Sequence, residues 1–338
     1  MVKLAVDAMG GDNAPQSIIE GVELARNENS KIEFLLFGDK KQIQPLLKDN
    51  KNITIVHTDE VITMDDEPVR AVKKKKNSSL VLAAKAVKDG EADAFVSAGS
   101  TGAVMVAGLL IIGRIKSIDR PGLTVTMPVI NNDTGFTMID FGANADAKVN
   151  NICQYALLGK FYSKNVRKVD NPKIGLINNG TEDDKGNIIH QKMHQALQSM
   201  SDNGDINFIG NIEPRGLLNG ITDVAVTDGF TGNAVLKSTE GSALAVIDML
   251  KDGIKNGGIK SKMGAFFLKD TLKKIAQKMD YTKYGGAVLL GLKAPVVKGH
   301  GNSNPEMIKN CLFHANEIVT SGYVEEVENF FNNTEKND

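Results

Sequence analysis

Apolar residues along the chain fall into short runs, mostly β-branched and closed by Gly, Asp or Asn. They are separated by stretches in which apolar positions recur three or four residues apart. The first kind predicts strands at residues 4–6, 32–37, 53–56, 94–96, 123–129, 136–141, 174–177, 206–209 and 224–226, short enough to be buried strands of a parallel sheet. The second predicts helices at 79–88, 101–113, 187–200, 231–250 and 305–320. The last opens on Asn304-Pro305-Glu306, an N-cap followed by proline at the first helical position and an early acid. Strand and helix alternate except between 123–129 and 136–141. There Ile130 to Gly135 reads as a hairpin, so the expected sheet is mixed, with an antiparallel element near the middle of the sequence.

The polar residues between these elements are not scattered. Four apolar runs end in loops rich in Gly, Ser, Thr, Asn and Asp: Asp7 to Asp12 (with Gly10 and Gly11), Ser97 to Gly102 (Gly99, Ser100, Thr101), Asn178 to Gly186 (Gly180, Thr181, Lys185) and Thr227 to Asn233 (Asp228, Thr231, Gly232). A strand–glycine loop–helix junction directs free backbone N–H groups and a positive helix terminus at whatever lies above the sheet. Several along one sheet edge would suit an anion, most simply phosphate. Nucleotide readings have less support: no Walker P-loop occurs, and Gly299 to Asn304 only approaches the dinucleotide fingerprint.

Length and composition set the outer limits. A chain of 338 residues, 41% hydrophobic and 24% charged, has room for one large α/β unit or two lobes. The reading adopted is a single catalytic domain over residues 1–330, with 251–282 an amphipathic helical segment and 331–338 a frayed tail. A formal net charge of −1 lends no support to general nucleic-acid binding. Two separated cysteines, Cys153 and Cys311, fit a reducing cytoplasm and give no zinc signal. The first residues are too quickly charged for a signal peptide, and the longest apolar run, 103–112, is far short of the roughly 20 residues a membrane span needs.

Individual side chains leave alternatives open. No G-x-S-x-G elbow or triad context is present, and His190 and His194 read as surface or structural. His300, between glycines ahead of a capped helix, is a candidate to line a site. Lys185 is either a solvated lysine or a cation for a phosphate. Asn233 is either a helix cap or a donor to an oxyanion. Arg70, Lys73, Lys74, Lys75 and Lys76 form either a solvated face or a docking patch for an acidic partner. Met263, Phe266, Phe267 and Leu268, continued by Leu272, Ile275 and Met279 and opposed by lysines, form a basic amphipathic helix for an anionic membrane or a subunit interface.

Taken together, several motifs resemble one family nearly end to end. They are Asp7-Ala8-Met9-Gly10-Gly11-Asp12, Pro68 to Val72 leading to Ser78-Ser79-Leu80, Ala92 to Gly99, Asp228 to Asn233, Tyr284 to Ala287 with Leu289 to Leu292, and His300-Gly301. The family is the phosphate acyltransferases of bacterial phospholipid synthesis, the PlsX family. The chain departs from its pattern at Ser100, where the family carries Asn, and at Asn179, where it carries an aliphatic residue. The resemblance implies a layered α/β/α fold similar to phosphotransacetylases and isocitrate/isopropylmalate dehydrogenases. It implies attack of inorganic phosphate on the thioester of an acyl-[acyl carrier protein], with no cofactor or metal. It also implies a homodimer, cytoplasmic and peripherally held at the inner membrane face, feeding a membrane acyl-phosphate:glycerol-3-phosphate acyltransferase. On that reading Lys185, Asn233 and His300 act at the reacting centre, the four loops hold phosphate or the oxyanion, and the lysine run docks the carrier. Rival readings are a phosphotransacetylase of short acyl-CoA, a dehydrogenase of the related fold and a non-catalytic membrane scaffold.

Overall fold

In the computed structural model, which describes residues 1–279 and 281–334, eleven strands form a single sheet of order β3-β2-β1-β4-β11-β10-β5-β6-β9-β7-β8. All nine predicted strands are present: β1 Val2–Asp7, β2 Ile32–Gly38, β3 Ile53–His57, β4 Ala94–Ser97, β5 Gly122–Val129, β6 Asn132–Ile139, β7 Lys173–Ile177, β8 Asn207–Ile212 and β9 Val224–Val226. Two more, β10 Ala287–Leu290 and β11 Val296–Lys298, were not predicted, yet they join the halves of the sheet. Helices α1 Gln16–Glu28, α6 Val149–Asn165, α7 Ile188–Asp202, α10 Pro305–Thr320 and α11 Tyr323–Thr334 contribute Ile19, Tyr155, Leu197, Leu312 and Tyr323 to the core on one face. The other face is covered by α4 Ser79–Lys88 and α5 Thr101–Ala107, which pack Leu80 and Ala103, and by Leu236 of α8 Gly229–Asn256. The result is the expected α/β/α layering.

The 231–250 helix is longer than its pattern suggested, and residues 101–113 divide into α5 and a π-helical turn, Gly108–Ile112. At the other end of the chain, α11 runs through Thr334 with Phe331 buried, so part of the expected frayed tail is helical, while residues 335–338 lie outside the described part.

The predicted hairpin has a larger consequence than its size. Strands β5 and β6 pair antiparallel, and β10 is antiparallel to both β5 and β11. Because β1, β2, β3 and β4 run with β11, while β7, β8 and β9 run with β6, the carboxyl ends of β1 and β4 point opposite to those of β7 and β9. The four glycine loops therefore do not share one sheet edge. They gather as two pairs on opposite sides of the central strands.

Beyond the sheet, α8 and α9 Gly258–Met279 form a helical hairpin. Only Gly229, Gly232 and Leu236 of α8 are buried. No helix of the described residues is long and apolar enough to cross a membrane.

Candidate functional site

The first pair of loops is built around Asp7, which ends β1 fully inside the protein. Its carboxylate accepts from Ser79 Oγ at 2.6 Å, Ser97 Oγ at 2.7 Å and the Met9 N–H at 3.3 Å. Burial pushes its pKa up, and these donors oppose the shift. Gly10 and Gly99 meet over this carboxylate: a Cβ on Gly10 would stand 2.4 Å from Asp7 Oδ2 and 2.8 Å from the Gly99 nitrogen. The Asp12 N–H donates to the Gly301 carbonyl at 2.8 Å, and Asn13 Nδ2 donates to the carbonyls of Asn302 and Ser303, so this pair is braced against the loop carrying His300. Asp12 is exposed and Gly11 half-buried. Ser100 stands at the α5 N-cap position but makes no side-chain capping bond, and Gly102 packs on Pro68, where a Cβ would come within 2.5 Å of Cγ.

In the second pair, the loop that opens α8 is organised by an acid that the sequence reading passed over. Asp140, at the end of β6, is 0% exposed and accepts the backbone N–H groups of Leu123, Gly142, Ala143 and Asn144 at 2.7–3.1 Å. Gly229, which opens α8, donates to the Asn144 carbonyl, and Gly232 lies so close to β6 that a Cβ would stand 2.0 Å from the Asp140 carbonyl oxygen. Asp228 is the α8 N-cap, accepting from Thr231 N at 2.9 Å and Thr231 Oγ1 at 2.8 Å. That pair is engaged with itself.

The loop from Asn178 to Gly186 is likewise laced internally. Asn178 Nδ2 donates to the Lys185 carbonyl, and Gly180 packs under the Lys185 stem. Lys185 is exposed, with Nζ 3.9 Å from Glu182, and neither it, Gly180 nor Thr181 lines the cavity described next. The two helical histidines have structural partners: His194 is buried between Asn211 and Asp183, while His190 pairs with Asn187 and lies 4.0 Å from Asp228.

Between the two pairs, over β5 and β10, lies a cavity of about 330 Å³. Three sequence-predicted residues reach it: Thr101 from α5, Asn233 from the first turn of α8, and His300 after β11. Asn233 and His300 are exposed, and neither side chain has a hydrogen-bond partner among the described residues, so both are open to a ligand. Leu123, Val125, Phe141 and Leu236 supply apolar wall, and Lys237, 3.2 Å from Glu240, closes one side.

Two further residues were missed. Lys298, the last residue of β11, is only 8% exposed, and the one side-chain hydrogen bond it makes among the described residues goes to the Gly299 carbonyl. Burial draws its pKa down to about 8, against the pull of Cys311, Asp12 and Asp7. Ser303 is 2% exposed, and its Oγ has no partner. A lysine closing the run Pro295-Val296-Val297 just ahead of Gly299-His300-Gly301 was the available signal. Cys311 also lines the cavity, with its thiol pushed up to about 12 by burial.

The basic run forms α3 Pro68–Lys74 and the residues after it, beside α5. Arg70, Lys73, Lys74 and Lys76 are exposed. Lys75 turns inward, with Nζ 2.5 Å from Asp66 and 2.9 Å from the Val61 carbonyl, so it is a brace. On α9, Met263, Phe266, Phe267 and Leu268 are 54–78% exposed and Leu272 is half-buried; Ile259, Met263, Phe266 and Phe267 share one face by helical spacing. The side chain of Met279, last in the expected stripe, lies outside the described part.

Comparison with known proteins adds what geometry cannot. The chain is 55% identical over 331 residues to a phosphate acyltransferase of Pediococcus pentosaceus, covering 98% of this chain and 94% of that one. In fold it resembles a phosphotransacetylase from Streptococcus pyogenes (TM-score 0.64, 17% identity, covering 96% and 94% of the two chains). It also resembles, more distantly, a 4-hydroxythreonine-4-phosphate dehydrogenase from Klebsiella pneumoniae (TM-score 0.52, 12% identity, covering 94% and 99%). The family model described as fatty acid synthesis protein matches residues 2–326. The chain belongs to this fatty acid synthesis protein family, among relatives that are phosphate acyltransferases.

Proposed function

We propose that inorganic phosphate attacks the thioester carbonyl of an acyl-[acyl carrier protein] in the central cavity, giving acyl phosphate and free carrier. A phosphate oxygen forms the new bond to carbon, the carbon–sulfur bond breaks, and the carrier leaves as a thiolate that takes up a proton. The observation that carries this reading is a cavity with polar donors but, among its described hydroxyl and thiol groups, no activated nucleophile. Cys311 is held as a thiol. Neither Thr101 nor Ser303 hydrogen-bonds to a base among the described residues. Phosphate, already an anion, needs positioning and a site for the developing oxyanion, rather than a side chain to attack in its place. Asn233 and His300 are the oxyanion donors on this reading. Lys185, with Gly180 and Thr181, serves phosphate entry from the neighbouring loop.

The substrate assignment is tested by measuring phosphate-dependent thiol release from acyl-carrier and acyl-CoA side by side. The exposed cations of the α3 region, close to Thr101 through the packing of Pro68 on Gly102, suit an acidic carrier protein. Changing Lys73, Lys74 and Lys76 to Glu is expected to raise KM for acyl-carrier by roughly tenfold or more while acyl-CoA turnover changes little. An equal fall for both substrates would remove the patch as the docking site.

The exposed apolar residues of the α8–α9 hairpin support two further parts of the reading, a homodimer and peripheral attachment to the inner face of the membrane. Phe266 and Phe267, 75% and 78% exposed among lysines, suit insertion at an anionic lipid surface. Phe266→Glu with Phe267→Glu should abolish flotation with anionic vesicles. Flotation at the wild-type level would leave the hairpin to the subunit interface alone. Acyl phosphate produced at that surface is then available to a membrane acyl-phosphate:glycerol-3-phosphate acyltransferase.

A further inference from the structure

Lys298 poses a physical problem. It presents an ammonium with three donors, buried, bonded to one carbonyl and with no carboxylate within 4 Å among the described residues. A cation taken out of water without a counter-charge is costly unless something completes it. Across Gly299 lies the Ser303 hydroxyl, also buried and unpaired: a Cβ on Gly299 would stand 3.6 Å from Ser303 Oγ. Both residues line the cavity, beside His300. We infer that Lys298 and Ser303 form the anchor for the attacking phosphate, the ammonium supplying the counter-charge and the hydroxyl a neutral hydrogen bond. The inference rests on the proposed reaction but assigns the anion to residues that none of the four glycine loops contains. It also accounts for the otherwise unfavourable burial of both groups.

Phosphate binding is measured without acyl substrate, by titration calorimetry with inorganic phosphate and by the phosphate-induced rise in Tm. Lys298→Met is expected to weaken phosphate binding by roughly tenfold to a hundredfold, the scale of a lost charge-assisted hydrogen bond. Its Tm without phosphate should stay at or above the wild-type value, because a buried unpaired charge has been removed. Ser303→Ala should weaken binding severalfold. The ionisable groups facing Lys298 are Asp7 and Asp12 from β1 and its loop and Cys311 of α10, with His300, Lys237 and Glu240 also on the cavity wall. As Lys298 loses its proton, wild-type affinity should fall as pH rises through about 8. Lys298→Arg, which stays charged, should bind phosphate without that fall. A wild-type phosphate response in Lys298→Met overturns the anchor. If that variant does not fold, unchanged binding in Ser303→Ala together with a fall across the same pH range in Lys298→Arg does so. Phosphate binding that depends on Lys298 in a protein that transfers no acyl group would sink the proposed reaction and leave the anchor standing.

Discussion

Asp140→Ala is expected to lower Tm by roughly 10 °C, corresponding to a loss of about 3–5 kcal/mol. The carboxylate is wholly enclosed and accepts four backbone N–H groups, from β5 and from the turn after β6. Truncation leaves the buried Leu123 donor and three part-buried donors of the turn without that acceptor. Asp140→Asn should recover part of the loss, since its oxygen can keep the three donors on Oδ1, from Leu123, Gly142 and Ala143, while its N–H₂ group faces the N–H of Asn144. The damage should reach activity as well. The same turn offers the Asn144 carbonyl to Gly229 and brings Phe141 and Gly142 to the cavity wall, so it sets where α8 begins. Thermal denaturation checks the stability effect, and a Tm within about 2 °C of wild type would show that the N–H groups find other partners.

Asn233→Ala should behave in the opposite way, leaving Tm unchanged and lowering kcat by about 10²–10³, the scale of losing one oxyanion donor. Its side chain is exposed, unbonded among the described residues and at the cavity mouth, so nothing in the fold depends on it. An interaction made mainly in the transition state lowers kcat with little change in KM. Lys185→Ala provides the contrast. If its loop serves phosphate entry, the variant raises KM for phosphate with kcat nearly intact. Steady-state kinetics with phosphate and acyl-carrier varied separately distinguish the two. A kcat for Asn233→Ala within about threefold of wild type would remove that amide from the reaction.

These expectations differ in how far they could have been read without coordinates. Asn233 and His300 stood out because each follows a glycine, Asn233 where a helix is predicted to begin and His300 in a loop just ahead of a capped helix. Asp140 did not, although Phe141-Gly142-Ala143-Asn144 is also a glycine loop following an apolar run. What distinguishes it is the number of N–H groups converging on one carboxylate, and Leu123 is one of them from 17 residues away. Lys298 did not stand out either, because its burial comes from the pairing of β11 with β4 and β10, which local pattern does not reveal.

The sequence by itself determined nine of the described strands, the bounds of α4 and α10, the hairpin between β5 and β6, and the family. Each depends on near neighbours or on residue identity: alternation, caps, turn residues, and motifs that stay in order along the chain. Only the tertiary structure decided that the hairpin, with β10, reverses the sheet, so that the glycine loops form two pairs rather than one row. Direction in a sheet is set by long-range pairing, and local pattern carries no information about which distant strand will be the neighbour. The same holds for burial of a charge. Lys75 braces Asp66 while Lys298 stands enclosed and unpaired, two lysines alike in sequence whose surroundings are supplied by segments far apart in the chain.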